Sequence, residues 1–305
     1  MLHLLRHIKT IPERKMIWMI GNFDGVHKGH QALIETAKLN AGSSRKVGLL
    51  TFEPHPRKVF KPELDCFRAQ QFVLKLRALE DYGVDYCYCY AFTKTLAAMS
   101  ADDFCAQILA EHLDPHAIVV GHDFCFGKGR EGTPEYLVNA GQKYGFDVYV
   151  VSEQAHMGKR YSSAALRNFI AEGNIAAIEE FLGRAYKFHG NVRKGRQVAR
   201  ELGYPTANIA PPDVMYPKYG VYLGHVTNLS DRPLPAIANI GIKPTLGGDE
   251  KPIIEIHIRD FSADLYGKKL TFAFKKFLRP EQKFDSIAAL KDQIEKDINV
   301  LYQAP

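Results

Sequence analysis

The sequence predicts an α/β protein in which a doubly wound parallel sheet is followed by a small antiparallel β-barrel with a C-terminal helix. Apolar runs of strand length alternate with longer segments of helical period from residue 16 to about residue 151. Short alternating segments punctuated by Gly and Pro begin near Gly190, and a helical stripe closes the chain. The first pattern is typical of parallel sheets, and the second is typical of small antiparallel barrels or sandwiches.

The strands and helices of the predicted sheet follow one another in regular order. Each apolar run predicts a buried parallel strand, and each segment after it predicts an amphipathic helix. The pairs are MIWMIG and HQALIETAKLNA, KVGLLTF and QQFVLKLRALEDYG, VDYCYCYAF and SADDFCAQILAEHL, and AIVVG and TPEYLVNAGQKYG, with FDVYVVS as the last strand. Ligands of such sheets bind at the carboxyl ends of the strands. The loop after the first of these strands is therefore a candidate site.

Two helical stretches lead from the sheet to the barrel. They are SSAALRNFIAEG and NIAAIEEFLG, with EGN as the break between them. The barrel strands are predicted from GVYLGHVTNL, LPAIANIG, PIIEIHIRDF and KKLTFAFKKFL, and the last helix from DSIAALKDQIEKDINVLY. We place the domain boundary after Gly183, which gives domains of residues 1–183 and 184–305.

Composition limits the class of protein. The 305 residues favour two domains, and 46% hydrophobic with 24% charged residues is ordinary for a globular chain. The apolar runs are far shorter than the roughly 20 residues that cross a bilayer, and the N-terminus is too charged for a secretory signal. We therefore expect a cytoplasmic protein without a membrane partner.

The five cysteines lack the C-x-x-C spacing of zinc sites, so we expect reduced and mostly buried thiols.

The net charge of +6 arises entirely after residue 183. Much of it lies in the segment YKFHGNVRKGRQVARELGYPT, in which five cations face the single acid Glu201. A basic run can be a solvated face, or it can bind a polyanion such as ATP or a nucleic acid. Because no RNA-binding module or set of stacking aromatics accompanies the charge, a nucleic-acid partner is not expected. The sequence does not predict an oligomeric state.

The segment GNFDGVHKGH, residues 21–30, joins the first predicted buried strand to its helix. Glycines let backbone N–H groups approach a phosphate, and a helix N-terminus adds about half a positive charge. The spacing of His27 and His30 lets both rings face one anion, where their donors strengthen as charge develops on phosphorus. Metal binding and simple packing are the alternatives. Zinc would need further ligands, and packing alone would leave the glycines unexplained.

The same segment carries a resemblance to a known family. HKGH resembles the H-x-G-H signature of nucleotidylyltransferases, and GNFDGVHKGH is similar to the form in bacterial FAD synthetases, the bifunctional riboflavin kinase/FMN adenylyltransferases. The segments TFEPHPRKVF, GHDFCFGKGREGT and RYSSAALRNFI fit the same family in order. The resemblance spans most of the first domain and implies a sheet of the nucleotidylyltransferase type.

The resemblance also implies roles for individual residues. It implies that the ATP phosphates and neighbouring groups are held by Gly21, Phe23, Asp24, His27 and His30. It places Asp123 beside the nucleotide or the flavin, and it implies closure over the phosphates by Arg160, Ser162, Ser163 and Arg167. This donor set suits adenylyl transfer, because the FMN phosphate that attacks ATP is already ionised and needs no general base.

Two positions depart from the family pattern. Ala164 stands where the family has a threonine, and Cys125 stands where an arginine is common. Each removes a donor of hydrogen bonds. The alternative hypothesis is therefore a riboflavin kinase with an attenuated adenylyltransferase domain.

A second candidate site is the sequence Pro205-Thr206-Ala207-Asn208. A hydroxyl at 206 and a side-chain carbonyl at 208 share one face of an extended segment, and both are hard oxygens of the kind that Mg²⁺ accepts beside ATP. The upstream glycines Gly190, Gly195 and Gly203, mixed with Lys194 and Arg196, predict a flexible cationic loop suited to covering phosphates. Taken alone, however, PTAN could be a turn followed by a strand.

PTAN matches a motif of riboflavin kinases, and ANIGIKPT, IEIHIRDFSADLYGKKL and FLRPEQKF resemble further segments of that family. Phosphorylation of riboflavin to FMN requires a base, because a neutral ribityl hydroxyl must lose its proton as it attacks ATP. Alternation in IIEIHI places Glu255 and His257 opposite Ile254 and Ile256. By composition alone Glu255 could be a solvated residue of the barrel face, but the resemblance favours it as the candidate base. The resemblance implies that Arg279 and Phe284 bind the flavin. The expected ligands are riboflavin, FMN, ATP and Mg²⁺, with FMN and FAD as products.

Overall fold

A six-stranded parallel sheet forms the centre of the first half of the chain. The computed structural model describes residues 1–6, 10–156, 158–194, 203–244 and 250–303. The strands are β1 (His3–Arg6), β2 (Ile17–Ile20), β3 (Val47–Glu53), β4 (Tyr86–Ala91), β5 (Ala117–Gly121) and β6 (Asp147–Val151). They lie in the order β1-β4-β3-β2-β5-β6, and every neighbouring pair is parallel. A short hairpin, β7 (Ala155–His156) and β8 (Lys159–Arg160), follows the sheet.

Helices cover both faces of this sheet. They are α1 (Lys28–Ala41), α2 (Pro56–Phe60), α3 (Phe72–Asp81), α4 (Lys94–Ala97), α5 (Ala101–Asp103) with its continuation as a π-helix over Phe104–Leu113, a 3₁₀ turn (Lys128–Arg130) and α6 (Pro134–Tyr144). Along β2, Trp18 packs on the face covered by the π-helix and α6, whereas Ile17 and Met19 pack on the face covered by α1 and α3. The predicted doubly wound sheet is therefore confirmed.

The strand order reverses at β2. From β2 the chain continues to β3 and β4 on one side, and it later places β5 and β6 on the other side. Such a switch point opens a crevice at the carboxyl ends of the two diverging strands. The loop after Ile20, predicted as a candidate site, lies at this position.

The indole of Trp18 is fully buried and determines what its neighbour can be. Trp18 and Gly48 are register partners in β2 and β3. A Cβ atom on Gly48 would lie 2.5 Å from the indole ring. Only glycine leaves room for the ring at this position, so the pair acts as one packing unit.

The chain divides into two units, which are Met1–Asp65 with Phe72–Ser163, and Cys66–Gln71 with Ala164–Pro305. The second unit thus takes in six residues from an early part of the sequence. Gln71 attaches them to the barrel, because its side-chain amide both donates to the His189 carbonyl oxygen at 2.6 Å and accepts from the His189 N–H at 2.7 Å. This pair of bonds imitates a strand neighbour. The predicted domain boundary after Gly183 separates the parts of the chain expected to carry the two activities, and it stays a prediction.

Helices α7 (Ser163–Glu172) and α8 (Ile175–Leu182) precede a closed antiparallel barrel, as predicted. Its strands are β9 (Lys187–Arg193), β10 (Ala207–Ile209), β11 (Gly220–Val226), β12 (Leu234–Pro244), β13 (Glu250–Ile258) and β14 (Lys269–Pro280). They follow the order β10-β13-β12-β11-β14-β9, and β9 pairs with β10 to close the ring. Alternate residues point inward, where buried aromatic rings such as Phe188, Tyr222 and Phe274 meet edge to face.

The C-terminal helix α9 (Ile287–Gln303) packs on the outer surface of the barrel. Its residues Ile298 and Leu301 form a cluster with Val221 and Ile237. The helical stripe predicted from the sequence supplies these contacts. The outer face of the barrel is therefore partly apolar, beneath α9, and partly polar.

One local expectation is wrong. Gly190 lies inside strand β9, paired with Leu270, and not in a flexible loop. A Cβ atom at Gly190 would lie 2.9 Å from the backbone oxygen of Ala210, so glycine is needed for close packing of neighbouring chain segments. Gly195 and Arg196 of that predicted loop lie outside the described residues.

Candidate active sites

The loop between β2 and α1 has an unusual backbone. Phe23, Gly25 and Val26 have positive φ angles of 49°, 96° and 45°. Two of these three are not glycines, so the surrounding packing must hold them in the left-handed region. Successive backbone N–H groups in a turn of this kind can form a concave anion-binding nest. The loop ends at His27, whose extended backbone precedes the first turn of α1.

The two histidines of this loop are stacked. The ring centroids of His27 and His30 are 3.7 Å apart, and the ring of Phe23 stacks on His30 at 4.5 Å. His27 is buried and His30 is half-buried. The i, i+3 spacing thus brings the two imidazole rings together as a stacked pair.

The start of α7 lies against the same loop. The hydroxyl of Ser163 donates to the backbone oxygen of Asp24 at 2.9 Å and lies 3.5 Å from Nε2 of His27. A Cβ atom on Gly29 would lie 3.1 Å from both Nδ1 of His27 and the backbone oxygen of Tyr161. Gly29 therefore allows residues 161–163 to approach the helix start, and Asp24, His27 and Ser163 form one group.

A second group of predicted residues lies after β5. Asp123 and Arg160 form an ion pair, and Nε of Arg160 is 3.7 Å from a carboxylate oxygen of Glu153. The thiol of Cys125 lies 3.6 Å from the backbone oxygen of Asp123. The structure thus joins Asp123 to Arg160, two residues that the resemblance implied separately.

The remaining predicted residues of this site lie at or on α7. Ser162 precedes the helix and is half-buried, whereas Ala164 is exposed on its first turn. Arg167 belongs to the second unit, where its guanidinium lies 6.0 Å from the centroid of the Phe67 ring. Gly21, which follows β2 directly, donates its backbone N–H to Leu50 in β3 at 3.1 Å.

On the barrel, strand register aligns the residues of the second candidate site. Glu255 of β13 is paired with Asn208 of β10 on one side and with Asn239 of β12 on the other. Directly opposed residues of neighbouring strands share a face. Ile254 and Ile256 are buried while Glu255 and His257 are half-buried, which confirms the predicted alternation. An amide, a carboxylate and a second amide thus form a polar row on the outer face, and Arg193 of β9 extends it.

His257 fixes the chain that leads into this row. Its Nδ1 lies 2.9 Å from the backbone oxygen of Pro205. A carbonyl oxygen only accepts, so Nδ1 carries the proton and donates it. Because Pro205 directly precedes Thr206, this bond holds the start of the PTAN segment against β13.

The oxygens of Thr206 and Asn208 fit Mg²⁺ by their chemistry. Both side chains are half-buried, and Asn208 lies beside Glu255 in register. Hydroxyl, amide and carboxylate oxygens are the ligands that hard divalent cations prefer. In the part of the chain that the structure describes, no cluster of three or more His, Cys, Asp or Glu residues forms a metal site.

The two predicted flavin-binding residues are in different settings. The guanidinium of Arg279 is paired with Asp297 of α9 through three hydrogen bonds of 2.7–3.1 Å, and both side chains are largely buried. The ion pair joins α9 to β14. Phe284 is half-buried and lies between β14 and α9 in the chain.

Sequence reasoning missed several polar residues near these sites. Lys75 and Thr51 lie close to the loop after β2, and Asn239 completes the row on the barrel. A signal for Lys75 was present: it occupies a position in the apolar stripe of α3 where a core residue is expected. Thr51 and Asn239 carry no such signal, because only strand pairing brings them to the sites.

A glycine-bearing loop that leads into a helix at the switch point of a parallel sheet is typical of proteins that bind nucleotides. Two family models match the chain in succession. The model for FAD synthetase matches residues 9–165, and the model for riboflavin kinase matches residues 182–304.

Whole proteins are similar over nearly the full length. The chain is 38% identical to the bifunctional riboflavin kinase/FMN adenylyltransferase of Escherichia coli K12, over 96% of this chain and 94% of that protein. It is also 38% identical to the protein of the same description from Pseudomonas fluorescens, over 97% and 94%. A crystal structure described as a macrolide-efflux protein from Streptococcus pneumoniae superposes with a TM-score of 0.89 at 28% identity, over 99% of both chains.

The chain belongs to the bifunctional riboflavin kinase/FMN adenylyltransferase family. It phosphorylates riboflavin to FMN and adenylylates FMN to FAD, with ATP as the co-substrate of both steps. The alternative of a kinase with an attenuated adenylyltransferase domain is not favoured, because the FAD synthetase model matches residues 9–165, which contain five of the six strands of the first sheet. Within the described ranges, no helix is both long enough and apolar enough to cross a membrane.

Proposed function

We propose that the two activities are divided between the two parts of the chain, with adenylyl transfer in residues 1–183 and riboflavin phosphorylation in residues 184–305. The proposal is supported by the difference between the two sites. The first offers imidazoles, hydroxyls, guanidinium groups and backbone N–H groups, which stabilise charge. The second offers an aligned carboxylate, which accepts a proton. That difference in chemistry is the observation that carries the proposal.

In the first site, the loop after β2 holds the phosphates of ATP. Gly21, Phe23 and Asp24 shape the loop, and its backbone N–H groups bind the anion together with the start of α1. The edges of His27 and His30 donate to the phosphate at which substitution occurs and to the departing pyrophosphate. The attacking FMN phosphate is already an anion, so these residues bind, orient and neutralise charge without removing a proton.

The other predicted residues complete this site. Ser162, Ser163, Arg160 and Arg167 donate to phosphate oxygens, and Asp123 lies beside the nucleotide or the flavin. In the structure Arg160 is paired with Asp123, so phosphate binding would exchange this partner for a more highly charged one. Ala164 and Cys125 depart from the family pattern, but both histidines and both arginines of the site are retained, and they supply the donors that adenylyl transfer needs.

In the second site, Glu255 accepts the proton of the ribityl hydroxyl as that oxygen attacks the γ-phosphorus of ATP. Thr206 and Asn208 would hold Mg²⁺, which neutralises phosphate charge when it is bound. Gly195, Arg196 and Pro205 are proposed to surround the ATP phosphates, and Arg279 and Phe284 to bind the flavin end. The hydrogen bond from His257 to the Pro205 backbone oxygen keeps Thr206 and Asn208 next to Glu255.

Separation of the flavins made from riboflavin, ATP and Mg²⁺ tests the division of labour. The wild-type chain is expected to form FMN first and FAD after it. His30→Ala should stop FAD formation and leave FMN formation intact, whereas Glu255→Gln should stop FMN formation and leave conversion of added FMN to FAD. Each variant is the folding control for the other. Loss of both activities in either variant, or retention of both, would contradict the assignment.

Two further proposals concern the surroundings of the enzyme. A cytoplasmic location is supported by the use of ATP in both steps and by the five free cysteines. Nucleic acid is not a proposed partner, because ATP accounts for the basic segment between β9 and β10. A steep salt-dependent affinity for DNA or RNA would contradict the second proposal.

A further inference from the structure

Helix α3 contains a lysine on its buried side. Lys75 is 6% exposed, and its neighbours on that side, Leu74, Ala78 and Leu79, belong to the core. Its ammonium donates to the backbone oxygen of Asn22 at 3.0 Å and to the hydroxyl of Thr51 at 3.1 Å. Burying an ammonium is costly, so a lysine in this position calls for an explanation beyond packing.

The Asn22 carbonyl belongs to the loop after β2. The hydroxyl of Thr51, fully buried on β3, lies 3.4 Å from the same oxygen. Two side chains from two different elements therefore converge on one carbonyl. The next residue, Phe23, is the first of the loop with a positive φ angle. The contact of Lys75 and Thr51 with the Asn22 oxygen thus lies directly before the point where the backbone enters the left-handed conformation.

A fixed carbonyl also fixes the group behind it. In a trans peptide the C=O of one residue and the N–H of the next point in opposite directions within one plane. Because Lys75 and Thr51 hold the Asn22 oxygen on one side, the N–H of Phe23 faces the other side. Lys75 therefore orients a backbone donor and places a positive charge beneath the loop.

We propose that Lys75 is a positioning residue of the adenylyl-transfer site, which orients the loop after β2 and supplies positive potential to the triphosphate of ATP. This inference rests on the proposed role of that loop. A buried charge acts on an anion through a medium of low polarity, so its effect exceeds that of an exposed charge at the same distance. The ligand group it recognises is the polyphosphate, and not the base or the sugar.

The test compares two substitutions in the full-length chain. Lys75→Met keeps much of the length of the side chain but removes the charge and the donors, and Lys75→Arg keeps a cation. Arg77→Met is the matched control, because Arg77 is exposed on the same helix and the substitution removes one positive charge. Riboflavin kinase activity of each preparation reports folding of the second unit, and fluorescence of the sole tryptophan, Trp18, reports folding of the first.

For Lys75→Met we expect the KM for ATP in FMN adenylylation to rise about tenfold, with a smaller change in kcat. Binding of pyrophosphate should weaken to a similar extent, while binding of adenosine should stay within about twofold. Lys75→Arg should recover part of the loss, and Arg77→Met should behave as the wild type.

Three results would overturn the proposal. They are an unchanged KM for ATP in Lys75→Met, an equal loss of adenosine and pyrophosphate binding, and the same defect in Arg77→Met. The second result would mean that Lys75 only supports the fold. Failure of the proposed function would look different: His30→Ala would then retain FAD synthesis, whatever the behaviour of Lys75→Met.

Discussion

The bond from Nδ1 of His257 to the Pro205 oxygen gives a sharp prediction for the kinase reaction. Its length of 2.9 Å is normal for a hydrogen bond, and the bond is exposed, since it joins the half-buried His257 to the exposed Pro205. Such a bond contributes about 1 kcal/mol, which corresponds to about a fivefold change in an equilibrium or a rate. Because the bond holds the residue before Thr206, its loss should weaken binding of MgATP more than it slows chemistry.

Three substitutions of His257 distinguish the effect of the hydrogen-bond donor from the effect of the imidazole ring. His257→Asn places an amide donor near the position of Nδ1, whereas His257→Gln places one near the position of Nε2, and His257→Ala has none. We expect kcat/KM for MgATP in riboflavin phosphorylation to fall about fivefold in the Ala and Gln variants, and to stay within about twofold in the Asn variant.

The assay is steady-state riboflavin phosphorylation at varied MgATP, together with equilibrium binding of MgATP. FMN adenylylation by the same samples is the internal control and should not change. Equal kinetics of the Asn and Gln variants would refute the reasoning, since the position of the donor would then be irrelevant. A loss confined to kcat would likewise show that the bond does not position the PTAN segment.

Three further predictions concern stability and pH. Gly48→Ala should destabilise the first unit by about 1–3 kcal/mol, because the new Cβ overpacks Trp18, whose fluorescence follows unfolding in urea. Asp297→Ala should cost about 3 kcal/mol by leaving Arg279 buried without its carboxylate, whereas replacing both partners by apolar residues should cost much less; hydrogen exchange of α9 distinguishes these outcomes. Burial lowers the pKa of His112, so below about pH 6.5 the unfolded chain binds a proton at this residue more readily than the folded chain does. The thermal stability, measured by the fluorescence of Trp18, should therefore fall as the pH drops below about 6.5, and it should fall less in His112→Gln.

Most of the architecture follows from periodicity in the sequence. The strands of the sheet are short apolar runs, and helices such as α1 and α6 carry the expected apolar stripe, so both were predicted close to their observed bounds. Strand β1 was not predicted, since HLLR is half polar and pairs only with distant β4. Strand β9 is rich in polar residues and contains Gly190, whose surroundings in the sequence predict a loop. In both cases pairing with a distant strand outweighs local preference.

In the candidate sites, too, features that lie within a short stretch of sequence could be predicted, whereas contacts between distant elements could not. The loop after β2 and the alternation around Glu255 could be identified because their signals lie within ten consecutive residues. The convergence of Lys75 and Thr51 on Asn22 could not be identified, because it joins three separate elements. The pairing of Arg279 with Asp297 was also missed. A motif predicts that an arginine is present, and tertiary packing determines which carboxylate it meets.

The segment Cys66–Gln71 has a practical consequence for dividing this protein. These residues come between α2 and α3 of the first unit in the chain, yet they belong to the second unit, where Gln71 bonds to His189. A single cut after Gly183 would therefore leave β9 without the amide that completes its hydrogen bonding. The two family models match consecutive parts of the chain, whereas the second structural unit also includes Cys66–Gln71 from within the part that the first model matches. A free kinase fragment would need either this peptide supplied in trans or a new partner for the backbone of His189.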